Sequence, residues 1–198
     1  MKRLLLLAAA MCCISLVSCE NEMDSNELSP FELEVLELDN LIASQSGFDE
    51  EALIADLCNG TMKMQRWYEY NDDNISEIRL VGGHCAGDIV IFFTEGICFD
   101  CYISDLMPDM KSYPCNAQFS WRYDPTTKSL ITKQQDDNIY SEGSAKVLYY
   151  NTEDHRLIIE GDFMHLESIL KLERVRISGY IDVDPAERER IIEEYCNE

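Results

Sequence analysis

The residues best equipped for chemistry are cysteines and histidines. In the body of the chain these are Cys58, Cys85, Cys98, Cys101, Cys115 and Cys196, with His84, His155 and His165. An even set of cysteines suits disulfides in a chain that leaves the cytoplasm. Each of the six is read as either a disulfide partner or a free thiol packed as a small hydrophobe. Cys98 and Cys101 have the spacing of a redox pair, but that chemistry needs a helix N-terminus to stabilise the thiolate. Here Ile97, Phe99, Cys101 and Ile103 alternate with polar and small residues, the mark of a strand. Residues three apart on a strand lie about 10 Å apart, and a disulfide spans less than about 7 Å. Cys98 is therefore not expected to pair with Cys101.

His84 and Cys85, with Cys98 and Cys101, offer four soft zinc ligands. Adjacent residues do not converge on one tetrahedral ion, so no metal site is expected. The Gly82–Gly87 stretch lacks the Lys-Ser/Thr of a phosphate loop, and no amphipathic helix follows it. Gly-x-Ser-x-Gly and His-Glu-x-x-His are absent from the sequence. Asp72-Asp73 and Asp136-Asp137 lack EF-hand spacing and read as solvated turns. No catalytic residue and no cofactor is assigned. His155 falls in a turn and His165 near a strand end, where solvated or packed rings are expected.

Aromatic residues carry the alternative, which is binding. Trp67, Tyr70, Trp121 and Tyr123 lie on strand-like segments. On an inner face they would line a cup for a ligand. On an outer face they would stack on sugars or meet a partner.

These side chains need a frame. Ser29-Pro30-Phe31-Glu32 has the form of a capping box with proline at the first helical position. Phe31, Val35, Leu38 and Ile42 then recur at helical spacing, which predicts a helix over about 30–45. A second helix is expected over about 49–58, stopped at Asn59-Gly60. From Thr61 the period becomes two. Met62, Met64, Tyr68 and Tyr70 alternate with Lys63, Gln65 and Glu69, placing Met62 and Tyr70 on one face. Further strands are expected at about 77–82, 89–94, 97–104, 116–123, 129–134, 144–150, 156–163 and 174–183. Asp124-Pro125, Asn151-Thr152 and similar turn chemistry separates them. Asp184-Pro185-Ala186-Glu187 opens a last helix. The fold class is mainly β: an antiparallel meander or barrel of about eight or nine strands, with two N-terminal helices and one C-terminal helix.

Composition narrows the partners. The 198 residues carry 16 Lys+Arg against 38 Asp+Glu, a net charge of −22. Nucleic-acid binding is excluded on that balance, since phosphate contacts need clustered cations. At 46% hydrophobic and 27% charged the chain is globular rather than disordered.

The N-terminus reads as an address. Lys2 and Arg3 precede an apolar run, Leu4 to Val17, too short to span a bilayer. It ends in Leu16-Val17-Ser18-Cys19, which resembles the lipobox of bacterial lipoproteins. The resemblance implies cleavage before Cys19 and an anchor of acyl chains on that residue. The chain is then 1–18 signal peptide, 19–29 acidic tether and 30–198 a single β-rich domain. Loss of the two basic residues in 1–18 takes the net charge from −22 to −24. Glu20, Glu22, Asp24 and Glu27 follow the lipobox, and they resemble the surface-export signal of Bacteroidetes-type lipoproteins. That implies the outer membrane and the cell surface, with the periplasmic face as the other placement.

Trp67 on the first strand, the Phe119–Ile131 hairpin sequence and the flanking helices together resemble the lipocalin-like secreted lipoproteins over roughly 59–183. The Gly-x-Trp of lipocalins is absent here, as Gly60 and Trp67 stand seven apart. The resemblance implies a small apolar or amphiphilic molecule, or a glycan, bound in a cup. A scaffold lipoprotein of an outer-membrane assembly is the second reading, and a Cys/His enzyme using Cys85 the third.

Overall fold

The computed structural model describes residues 28–71, 74–78, 80–81, 84–85, 88–101, 117–134, 142–165 and 174–195. By internal contact the chain forms two units, one ending at Asn40 and the other Leu41–Glu198.

Helix α1, Pro30–Ser44, crosses that boundary. Its start is the capping box expected from the sequence. The Glu32 N–H donates to Ser29 Oγ at 3.2 Å, and the Ser29 N–H donates to Glu32 Oε2 at 2.7 Å. These bonds hold the Glu32 carboxyl below its ordinary pKa. Among the described residues no helix is long and apolar enough to cross a membrane.

Helix α2, Glu50–Asn59, is capped by the Asp49 carboxylate, which accepts from the Ala52 N–H at 3.0 Å. Gly60 ends it because space is short. A Cβ there would lie 2.7 Å from the Asp182 carbonyl oxygen and 2.8 Å from that of Asp56.

Eleven described strands follow: β1 Thr61–Asn71, β2 Asn74–Ile78, β3 Leu80–Val81, β4 His84–Cys85, β5 Ile89–Phe92, β6 Ile97–Cys101, β7 Ala117–Asp124, β8 Ser129–Gln134, β9 Gly143–Tyr150, β10 Arg156–Gly161 and β11 Val175–Asp182. Strands β5 to β11 pair in sequence order, β5 pairs with β1, and β1 pairs with β11. The result is an eight-stranded, closed, antiparallel up-and-down barrel. Strand β2 is an extra strand on β1, and β3 and β4 form a separate short ladder. The segment expected as one strand over 77–82 is thus split between β2 and β3. His84-Cys85, expected in a loop, forms β4. Helix α3, Pro185–Tyr195, closes the described chain.

The two faces of the wall carry different cores. Inside lie Met62, Met64, Trp67, Val90, Phe92, Cys98, Phe119, Trp121, Leu130, Val147, Leu157, Ile177 and Ile181, with Leu53 and Leu57 of α2. Outside, Ile191 and Ile192 of α3 pack on Ile89, Ile91, Phe99 and Cys101 of β5 and β6. These two strands are buried on both faces, and β5 accordingly reads as the unbroken apolar run Ile-Val-Ile-Phe. Arg188 ties α3 down. Its guanidinium donates to the carbonyl oxygens of Gly60 and Phe92, the latter at 2.7 Å, and lies over the Phe93 ring.

The barrel has two unlike ends. The α2 end gathers the start of β1, the end of β11, the end of β9 and the start of β10, as Thr61↔Asp182, Arg156↔Tyr180 and Leu157↔Tyr150 show. At the far end, the one-turn helix Phe163–His165 sends Phe163 and Met164 into the interior. Met164 has φ +52° and is held by its N–H to Thr132 Oγ1 at 3.0 Å.

Candidate functional site in the barrel interior

Which side chains reach the interior is decided on β1 by one irregularity. Met64 pairs with Gly179 and Arg66 with Ser178, leaving Gln65 as an extra residue. This β-bulge reverses the alternation. Met62 and Met64 face inward, and so does Trp67, opposite Ile177. Tyr68 and Tyr70, expected on the face of Met62 and Met64, point outward instead. The two consecutive polar residues Gln65-Arg66 between apolar neighbours were the signal of the bulge.

Trp67, Trp121 and Tyr123 therefore share the interior, and Tyr70 does not. On the outer wall the Tyr70 hydroxyl accepts from Arg176 Nη1 at 2.6 Å. Its ring lies against the guanidinium groups of Arg174 and Arg176, 4.6 and 4.3 Å from the centroid. Glu160 accepts from Arg176 Nε at 2.9 Å. An inward ligand cannot touch Tyr70 in this arrangement.

The two tryptophans differ in one respect. Trp121 Nε1 donates to the Phe93 carbonyl at 2.9 Å, and its ring meets Phe92 edge to face at 4.9 Å. Trp67 is fully buried, and its Nε1 finds no acceptor in the protein. A buried donor without a partner is uncommon and calls for an explanation. Tyr123 packs at the margin of the interior core. Burial, then the nearby Glu50 carboxylate, push its pKa up to about 12.

The α2 end carries a polar cluster that sequence reasoning missed. Asp56 of α2 accepts from the Tyr150 hydroxyl and lies 2.7 Å from His155 Nδ1. Gln45 completes the edge of β9, accepting from the Tyr150 N–H at 3.0 Å and donating to the Tyr150 carbonyl at 2.6 Å. His155 sits in its turn as expected, at φ +54°. Its ring, however, is engaged by Asp56 rather than free in solvent. Nothing local links Asp56 to residues a hundred positions away, so no sequence pattern could have found the group. It latches α2 across the barrel mouth.

Replacing Asp56 by alanine should strand the buried Tyr150 hydroxyl and loosen that latch. The expected cost is about 1–3 kcal/mol, read as a lower melting temperature and faster hydrogen exchange in α2. Unchanged exchange in α2 would contradict the assignment.

Alkaline pH should act on the same region. Burial, then Asp56, raise the Tyr150 pKa; burial raises Cys98; Tyr123 reaches about 12. An unfolded tyrosine titrates near about 10. The fold thus holds protons that the unfolded chain releases. This contribution is complete below about pH 10 and is lost as pH rises toward about 12. Denaturant midpoints measured between pH 8 and 12 should be level at first and then fall. A midpoint that rose with pH would contradict this.

Cysteine chemistry is divided. Cys98 points inward and is a free, buried thiol; Cys58 is free and half-buried on α2. Cys101 faces outward and is disulfide-bonded, so it is not joined to Cys98. The side chains of Cys85, Cys115 and Cys196, and all of Cys19, lie outside the described residues, as do Asp136-Asp137. Among the described residues no group of three or more His, Cys, Asp or Glu side chains could hold a metal ion. A shallow depression of about 100 Å³ lies on the outer wall along β7 and β8, beside Arg122, Ile131 and Lys133.

Compared with known proteins, the chain matches no family model, no curated protein and no solved structure.

Proposed function

We propose that this chain is a lipid-anchored outer-membrane protein, facing outward, whose barrel binds a small apolar or amphiphilic molecule without transforming it. One observation carries the binding part: a closed barrel with an apolar, aromatic and methionine-lined interior into which a buried indole N–H points without a partner. Barrels of eight strands are wide enough for side chains or for one small ligand. Methionines are unbranched and repack around a guest. The anchoring part rests on Lys2-Arg3, the apolar run, Leu16-Val17-Ser18-Cys19 and the acidic residues after it.

The purified protein should bind the fluorescent apolar probe N-phenyl-1-naphthylamine saturably, at about one probe per chain. Absence of saturable binding would overturn the binding reading. Labelled palmitate fed to cells should enter the protein, and Cys19→Ser should abolish the label. Label retained in Cys19→Ser would overturn the anchor.

The second reading, a scaffold in an outer-membrane assembly, is favoured by Leu33 and Leu36. These α1 side chains are 53% and 47% exposed. Crosslinking in intact membranes, compared with a Leu33→Ser/Leu36→Ser chain, separates the two readings.

A further inference from the structure

The unpartnered indole and the wall beside it specify more about the guest. The inference rests on the binding reading above. We propose that the Trp67 indole N–H anchors a hydrogen-bond acceptor oxygen on a neutral amphiphile, which reaches it through the wall between β2 and β5.

Three observations lead there. The first is the donor. Trp67 is fully buried with no acceptor for Nε1, whereas Trp121, in the same core, spends its N–H on the Phe93 carbonyl. The protein supplies a partner for one indole and leaves the other open toward the interior. An indole N–H donates only, so its partner must be an acceptor such as a ketone, ester, ether or hydroxyl oxygen.

The second is charge. The interior core cluster is apolar and holds no Lys or Arg. Glu69 lies on the same face of β1 as Trp67, two residues toward the far end, opposite Val175. A carboxylate or phosphate headgroup would meet that acid without a counter-charge. A neutral guest meets no such cost.

The third is the seam. β1 pairs with β5 only at Met62↔Val90 and Lys63↔Ile89, followed by the Met64 N–H to the Asp88 carbonyl at 2.9 Å. From Trp67 onward the same edge of β1 pairs with β2 instead. Among the described residues no ladder joins β2 to β5. The wall therefore loses its continuous hydrogen bonding at the level of the indole. Met62 and Met64 flank this point and are the side chains able to yield.

The test uses the protein purified from its own envelope, labelled with ¹⁵N at tryptophan and held in lipid nanodiscs. The chain has two tryptophans, so two indole N–H signals are expected. The probes are the ketone 6-propionyl-2-dimethylaminonaphthalene and its deoxygenated 6-propyl analogue. The ketone should displace the Trp67 signal downfield, saturably, and leave the Trp121 signal in place. The deoxy analogue should bind without that displacement. Trp67→Phe should weaken the ketone about fivefold, the worth of one hydrogen bond, and leave the deoxy analogue unchanged. If both probes bind while the Trp67 signal stays put, or Trp67→Phe weakens both alike, the anchor is wrong and the binding reading stands. If neither probe binds, the binding reading falls and takes the anchor with it. Should Trp67→Phe not fold, the spectra of the unaltered protein decide alone.

Discussion

Gly179→Val should leave the barrel unable to close, or lower its melting temperature by roughly 10 °C. Gly179 lies on the inner face of β11, opposite Met64, where β1 enters its bulge. A Cβ there would stand 2.2 Å from the Lys63 carbonyl oxygen and 3.2 Å from the Met64 Cα. Both are backbone atoms, so no side chain can swing aside. Relief requires β1 to move off β11, and β1–β11 is the pairing that closes the barrel. Overpacking of this kind costs about 3 kcal/mol or more where the backbone must shift. Moving β1 would also turn Trp67 out of register, so the effect reaches the site as well as the fold. Thermal unfolding by circular dichroism is the measurement. A melting temperature within about 2 °C of the parent would show that β1 has slack at this point, contrary to the account.

Trp67→Ala should cost about 3–5 kcal/mol, the usual price of emptying a buried aromatic site. Trp67→Phe should cost far less, because it keeps most of the packing and removes a donor that has no acceptor in the protein. The same change at Trp121 should behave differently. There it deletes a bond of 2.9 Å and leaves the Phe93 carbonyl without that partner. Trp121→Phe is therefore expected to cost about 1–3 kcal/mol more in that term than Trp67→Phe. Paired denaturant titrations give the difference directly. Equal costs for the two phenylalanine variants would mean that the Trp67 donor is satisfied in solution.

The order of elements was legible because it rests on local chemistry. The Ser29–Glu32 capping box, the Asp49 cap, the alternation of Phe119, Trp121 and Tyr123, and the turn at Asp124-Pro125 each act within a few residues. Most strand boundaries followed from them. The inward set on β1 was legible only up to Met64. A bulge inserts one residue and exchanges the faces beyond it, so Tyr70 went to the outer wall and Trp67 to the inner one. The extra strand β2 and the break after Ile78 also escaped, since a short strand on an already paired edge leaves little periodic trace. The Asp56–Tyr150–His155 latch is long-range and depends on the closed barrel. No single segment encodes it. The inward Cys98 and outward Cys101 followed from strand geometry, because opposite faces are a local property.

The most direct measurement is native mass spectrometry of the protein taken from its own envelope without reductant. The account predicts an added mass of one small molecule per chain, retained under gentle ionisation and lost on denaturation. That mass should belong to a neutral amphiphile bearing an acceptor oxygen. A uniform population with no added mass, from material never exposed to competing detergent, would contradict the claim that the barrel is a binding chamber.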